Sequence, residues 1–293
     1  MRNLFLFAGF ALFFTVCLTS CGNEDPAEGV DVSKAFPTTA TVEGFVYLNV
    51  NANTSPTDFR QFVPEGTLLS FTIAYGELGI EDASGNYVVT AEVGSDGRYS
   101  VEVPTKNDGT AVWVTINGNP FVLDVKNGYR TETRLFTVAQ NSQSVIKGFS
   151  YHKDLTYTGE ILSETEAWVP GTFKARLIYR NDLQNSSQTA PIPSGTEVTV
   201  TINRNQFVPA RENDLVVIGQ VGSDGNFSIT LPAPTVQMRS SGLTTHLRSD
   251  VILLVRDGDN SRRFRFSLST TKSIFGGVEI DEGNIELSRH EQI

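Results

Sequence analysis

Val93-Gly94-Ser95-Asp96-Gly97-Arg98-Tyr99-Ser100-Val101-Glu102-Val103-Pro104 and Val221-Gly222-Ser223-Asp224-Gly225-Asn226-Phe227-Ser228-Ile229-Thr230-Leu231-Pro232 are one pattern written twice. In each copy Val-Gly-Ser-Asp-Gly separates two runs in which apolar and polar residues alternate, the mark of a tight hairpin whose glycines supply positive φ. Before the turn Val89, Ala91 and Val93 share one face, as do Val217, Gly219 and Val221; after it Tyr99, Val101 and Val103 answer Phe227, Ile229 and Leu231. Period-two alternation of this kind requires half-buried strands, because a slip of one residue would turn every apolar side chain to solvent.

Working outward, the duplication continues. Val63-Pro64-Glu65-Gly66-Thr67 answers Ile192-Pro193-Ser194-Gly195-Thr196, and each is followed by a strand, Leu69, Phe71 and Ile73 in one case and Val198, Val200 and Ile202 in the other. Later strands carry Val112, Val114 and Ile116, and Val251, Leu253 and Val255. Upstream, Val42-Glu43-Gly44-Phe45-Val46-Tyr47 is matched to Ile146-Lys147-Gly148-Phe149-Ser150-Tyr151. The offset from Gly44 to Gly148 is shorter than those from Gly66 to Gly195 and from Tyr99 to Phe227, so this match requires an insertion in the second copy. No stretch beyond the N-terminal run has a convincing helical period. The expected fold is all-β, two tandem antiparallel β-sandwich domains, at 40–140 and 141–293, with the insertion at about 152–190.

The series Gly-Phe-Val-Tyr, Pro-x-Gly-Thr and Gly-Ser-Asp-Gly-Arg-Tyr-Ser-Val-x-Val-Pro resembles the transthyretin-like sandwich family, which includes carboxypeptidase regulatory-like domains. The resemblance covers both copies. It implies a fold and no catalytic residue, since members of that family serve as stalks, adhesin modules, appendages or binding domains.

The insertion is the most individual segment. It holds Tyr157, Trp168, Phe173 and Tyr179 near Glu160, Glu164 and Glu166. Aromatic faces beside hydrogen-bond acceptors suit a sugar-binding surface, so Tyr157, Trp168 and Tyr179 are candidate ligand-binding residues. The alternative is that Phe173, Ala175, Leu177 and Tyr179 form an added strand with Trp168 packed on the sandwich rim. Both readings stand at this point.

The N-terminus gives an address. Arg2 precedes an almost unbroken apolar run from Leu4 to Leu18, shorter than the roughly 20 residues that a spanning helix needs, and a signal peptide at 1–20 fits it. Leu18-Thr19-Ser20-Cys21 resembles the lipobox of bacterial lipoproteins, which implies a diacylglycerol on the Cys21 sulfur and an anchor in the membrane without spanning it. Residues 21–39 are expected to be a flexible lipidated tether, whose acidic start resembles the signal that sends some lipoproteins to the outer face of the outer membrane. A periplasmic-facing position is the alternative. The only other cysteine, Cys17, lies inside the signal, so no disulfide is expected in the sandwiches.

A formal charge of -10 sets up a field that repels phosphate backbones, and nucleic acid is not an expected partner. Linear motifs for catalysis are missing: no His-Glu-x-x-His, no Gly-x-Ser-x-Gly and no phosphate loop occur. Asp257-Gly258-Asp259-Asn260 and Asp82-x-Ser84-x-Asn86 have oxygen ligands without the closing glutamate of a calcium loop, and turn chemistry explains them, as it does Asp96 and Asp224. No metal and no cofactor are expected. The leading expectation is a non-enzymatic cell-envelope lipoprotein, structural, adhesive or accessory, with an envelope protein or a glycan as possible partner. A glycan-binding lipoprotein of a polysaccharide uptake system and a fimbrial subunit are the alternatives.

Overall fold

The computed structural model describes residues 38–50, 61–80, 85–127, 129–162, 167–207, 210, 213–237 and 240–293. The expected signal peptide at 1–20, Cys21 and residues 22–37 of the expected tether lie outside these, as do Asp82, Ser84, Glu164 and Glu166. In chain order the strands are β1 (Thr39–Asn49), β2 (Gln61–Phe62), β3 (Leu68–Ala74), β4 (Asn86–Glu92), β5 (Arg98–Pro104), β6 (Val112–Gly118), β7 (Phe121–Asn127), β8 (Arg130–Val138), β9 (Asn141–Val145), β10 (Ser150–His152) and β11 (Leu155–Ile161). They continue with β12 (Trp168–Arg180), β13 (Thr189–Pro191), β14 (Glu197–Ile202), β15 (Leu215–Gln220), β16 (Asn226–Pro234), β17 (Leu243–Asp257), β18 (Asn260–Ile274), β19 (Glu279–Glu286) and β20 (Ser288–Gln292). The described chain is all-β, with helical geometry confined to short 3-10 turns.

Two pairs of sheets enclose two hydrophobic cores. In the first sandwich β4-β3-β6-β9 faces β10-β1-β11-β8-β7, with β2 and β5 also paired to β1. In the second, β15-β14-β17-β18-β20 faces β13-β12-β16, with β19 on β12. The alternation read in the sequence fills these cores: Leu69, Phe71 and Ile73 meet Tyr99, Val101 and Val103, while Val198, Val200 and Ile202 meet Phe227, Ile229 and Leu231. Interiors of this kind supply most of the stabilisation, at about 25 cal/mol per Å² of apolar surface buried.

The duplicated turns are built alike, but they are not the hairpins that alternation suggests: β4 pairs with β3 and β5 with β1, β15 with β14 and β16 with β12, so each turn crosses from one sheet of its sandwich to the other. Gly97 (φ 74°) and Gly225 (φ 76°) are left-handed, a conformation that β-branched residues resist. Gly94 N donates to Arg98 O at 2.8 Å, and Gly222 N donates to Asn226 O at 2.7 Å. The Pro-x-Gly-Thr stretches also correspond: Thr67 Oγ1 donates to Pro64 O and Thr196 Oγ1 to Pro193 O. Asp224 (φ 55°) adds a second left-handed residue in the later turn only.

One expectation fails, and the register shows why. Ile146–Tyr151 does not open the second sandwich: Ser150 and His152 of β10 pair in parallel with Thr41 and Glu43 of β1. β11 follows, parallel to β1 and antiparallel to β8, so the first sandwich runs to Ile161, well past residue 140. The true counterpart of β1 is β12. Phe45 stands opposite Arg98 and Tyr47 opposite Phe62, just as Arg176 stands opposite Asn226 and Ile178 opposite Pro191. β12 also takes a parallel neighbour, β19, as β1 takes β10 and β11. The supposed insertion therefore divides into the closing strand of one sandwich and the opening strand of the next. At its near end the tether gives way early, because Thr39 already pairs with Pro104.

The sandwiches meet along the edge of β4. Val88 N donates to Gly195 O at 2.7 Å, Asn86 Nδ2 to Glu197 Oε2 at 2.8 Å, and Thr90 Oγ1 to Gln220 Oε1 at 3.0 Å. Val88 and Ile218 sit out of phase with the core residues of β4 and β15 yet are buried, covered by the neighbouring sandwich. Tyr75 shares a hydrogen bond with the Thr196 side chain, and burial pushes its phenol up to about 12.

Candidate functional site

The three rings proposed from sequence do not gather on a surface. Tyr157 belongs to the first core, fully buried, with its hydroxyl donating to Asn119 O at 3.1 Å and its phenol pushed upward by desolvation. Tyr179 lies in the second core, edge-on to Phe266 with ring centroids 5.1 Å apart. Trp168 is stacked on Phe207 at 4.9 Å and is only 6% exposed. Of the nearby carboxylates, Glu160 is ion-paired with Arg204. None of these rings offers a face to a ligand; Trp168 and Tyr179 lie on a strand, as the alternative reading has it, but that strand is the counterpart of β1 and not an addition to the sheet.

A different aromatic group faces outward. On β1, Phe45 and Tyr47 project from the side opposite Val42, Val46 and Leu48, half-buried, while Phe62 of β2 is 41% exposed. Their centroids lie 6.0 Å (Phe45–Tyr47), 5.9 Å (Phe45–Phe62) and 5.7 Å (Tyr47–Phe62) apart, with interplanar angles of 25°, 20° and 28°. Three nearly equal separations make a triangle, not a column, so the rings form one compact apolar patch.

Polar groups flank it. The Arg98 guanidinium stands 5.0 Å over the Phe45 ring and 3.5 Å from Asp96. On the other side His152 meets Phe45 edge-on, and its Nε2 lies 2.9 Å from Asp154 Oδ1. That same oxygen accepts from Phe45 N at 2.9 Å, which fixes the loop between β10 and β11 against β1. Lys153 O passes so close over Gly44 that a side chain there would collide with it, and Tyr99 donates its hydroxyl to the same carbonyl at 2.6 Å. The duplicated turn also contributes: Phe62 packs directly on Gly97. Sequence reasoning passed over this patch because Phe45 and Tyr47 sit on the strand face that alternation assigns to solvent, and because His152 comes from a distant strand.

Two further concavities are open. A groove of about 420 Å³ between the sandwiches is lined by Glu65, Glu92, Asn119 and Phe121 on one side and Ser228 and Thr230 on the other. A second, of about 410 Å³, holds the Asp250–Arg265 ion pair and Ser267, whose Oγ lies 2.5 Å from His290 Nε2. His290 is exposed on β20. His246 contacts Thr271 and Ser269, so the three histidines do not converge. Asp257 and Asn260 close the β17–β18 hairpin, with Asp257 ion-paired to Arg262 at 2.7 Å, and Asp96 accepts from Arg98 N as a turn residue does. Among the described residues no three acidic, histidine or cysteine side chains are grouped to hold a metal ion.

No family model matches the chain, and no curated protein is significantly similar to it. Solved structures give distant likenesses. The shaft pilin SpaA from Lactobacillus rhamnosus GG is 11% identical, with 86% of this chain and 98% of that one covered and a TM-score of 0.26. A candidate polysaccharide-binding protein from Bacteroides thetaiotaomicron is 7% identical over 76% and 78% of the two chains, at 0.27. A candidate carbohydrate-binding protein from Pseudomonas aeruginosa is 16% identical over 41% and 88%, also at 0.27.

Proposed function

We propose that the chain is a non-enzymatic surface module of the cell envelope, two sandwiches of transthyretin-like character on a lipid tether at Cys21. The observation that carries this reading is the junction. Backbone pairing of β4 with Gly195, side-chain bonds from Asn86 and Thr90, and the burial of Val88 and Ile218 lock the sandwiches into a stiff pair. A rigid tandem unit behind a lipobox-like Leu-Thr-Ser-Cys suits a part that carries load or holds a partner at a set distance from the membrane. The acidic stretch after Cys21 supports an outer-membrane position facing outward.

The test is Cys21→Ala in the full chain, followed through membrane and soluble fractions and by protease shaving of intact cells. Release of the variant from membranes, with the parent protein cleaved on intact cells, is the expected result. Retention of the variant in the membrane fraction would overturn the tether, and protection of the parent from protease would overturn the outward position.

A further inference from the structure

We infer that the outer face of the first sandwich, at Phe45, Tyr47 and Phe62, is a binding site for a neutral glycan. The inference builds on the surface-module reading and adds a ligand to it. Its strongest support is internal to the molecule. The second sandwich places Arg176, Ile178 and Pro191 at the positions of Phe45, Tyr47 and Phe62, and its strands keep the same pairing. The frame therefore closes without aromatic rings there, with Ile178 buried where Tyr47 is only half-buried, so the shared frame alone does not call for the triangle in the first copy. Large apolar rings left at a surface are costly unless something covers them.

The flanking groups select the occupant. A pyranose has an apolar C–H face that lies flat on an aromatic ring and a periphery of hydroxyls that need both donors and acceptors. Arg98, over the Phe45 ring, and His152, at its edge, are donors, and Asp96 and Asp154 are acceptors, which leaves Tyr47 and Phe62 as the rings for a sugar face to lie on. Each basic group already faces a carboxylate, so the rim has no surplus positive charge to attract a uronate or a sulfated sugar. The formal charge of -10 on the whole chain works further against a polyanion. A neutral saccharide seated across β1 and β2, with one sugar face on the triangle, fits these constraints.

The experiment uses the full-length protein, purified from cells in detergent, against neutral polysaccharides (β-glucan, α-mannan, galactan and xylan) and a polyuronate. Phe45→Arg combined with Tyr47→Ile imports the second sandwich's own residues. Binding to at least one neutral polymer, weakened roughly tenfold or more in the double variant at an unchanged melting temperature, is the expected result. If the double variant melts early, Phe62→Ser on exposed β2 replaces it, with a loss of about threefold or more expected. No binding by the parent protein, binding to the polyuronate alone, or undiminished binding in the scored variant would overturn the site. Failure of the tether would instead show as recovery of the parent protein from the soluble fraction, which leaves the binding measurements intact.

Discussion

The two sandwiches share a frame and differ in what they show to solvent. In each, the first strand is paired antiparallel on one side and parallel on the other, and an Asp-Gly turn packs beneath it. On the outer face the first carries Phe45, Tyr47 and Phe62, where the second carries exposed Arg176, buried Ile178 and half-buried Pro191. They also diverge at their far ends. The first inserts the β7–β8 hairpin between β6 and β9, whereas the second joins β17 directly to β18 in one long hairpin. Duplication thus acts as an internal control: what both copies keep belongs to the shared frame, and what one copy alone has either fills its own core, as Val125 and Phe136 of the β7–β8 hairpin do, or faces outward as the three rings do.

That comparison can be broken at several points, the largest effect first. Trp168→Ala should remove a buried ring from the second core and cost about 3–5 kcal/mol. Calorimetry should show the second sandwich melting first while the first holds its transition. Loss of both together would mean that the junction makes a single cooperative unit.

Alkaline titration probes the contact between the copies. Tyr75 is protonated in the fold up to about 12, above the ordinary 10.0 of an exposed tyrosine, chiefly because burial disfavours the phenolate. Its folded value is the higher one, so its contribution is complete below pH 10 and declines as pH rises towards 12, by about 2–3 kcal/mol at most. Tyr75→Phe should flatten that limb of the stability curve between pH 10 and 12. A limb of unchanged slope would assign the loss to Tyr99 and Tyr157, whose phenols burial also pushes upward.

The turns offer a direct pair. Val at Gly97 or Gly225 should cost on the order of 1–3 kcal/mol for the left-handed backbone alone. Gly225→Val should be the worse of the two, because its side chain would strike the Leu177 carbonyl within β12, whereas at Gly97 the obstacle is Phe62, ring and Cβ alike, on the two-residue strand β2, whose displacement disturbs less of the sheet. Equal denaturant midpoints for the two variants would refute that distinction. Smallest is Asn86→Ala, which deletes one bond across the junction and should cost about 0.5–1.5 kcal/mol, seen as wider separation of the two thermal transitions.

Much of this frame is legible in the chain. Period two names the strands and Pro-x-Gly-Thr marks where β3 and β14 begin, but the Asp-Gly turns are legible only as turns: alternation on both sides suggests a hairpin, whereas each turn carries the chain from one sheet to the other. The start of the second sandwich is not legible locally, because Gly148-Phe149-Ser150-Tyr151 copies Gly44-Phe45-Val46-Tyr47 in letters and differs in role. Gly44 is small to admit the Lys153 carbonyl, while Gly148 takes φ 76° in a turn. The strand that does the work of β1 has Ala175 in that place. Tyr179 could have been placed, since it keeps phase with Phe173 and Leu177. The outward triangle could not, for its third ring and its His152 neighbour arrive through pairing between segments far apart in sequence.

The parallel pairing of β1 has a consequence for the order in which the molecule is made. A chain delivered from its N-terminus presents β1 early, and β5 can join it as soon as the first duplicated turn emerges. The opposite edge must wait for Ser150–His152 and Leu155–Ile161. Until then an unsatisfied strand edge bearing Phe45 and Tyr47 stands open, the kind of edge that other chains add to. β12 repeats the delay, waiting for β19 almost at the end of the chain. The first strand of each sandwich is sealed by a strand that arrives late, so synthesis from the N-terminus leaves this protein most exposed to self-association just before β10 and β11, and again before β19, are released.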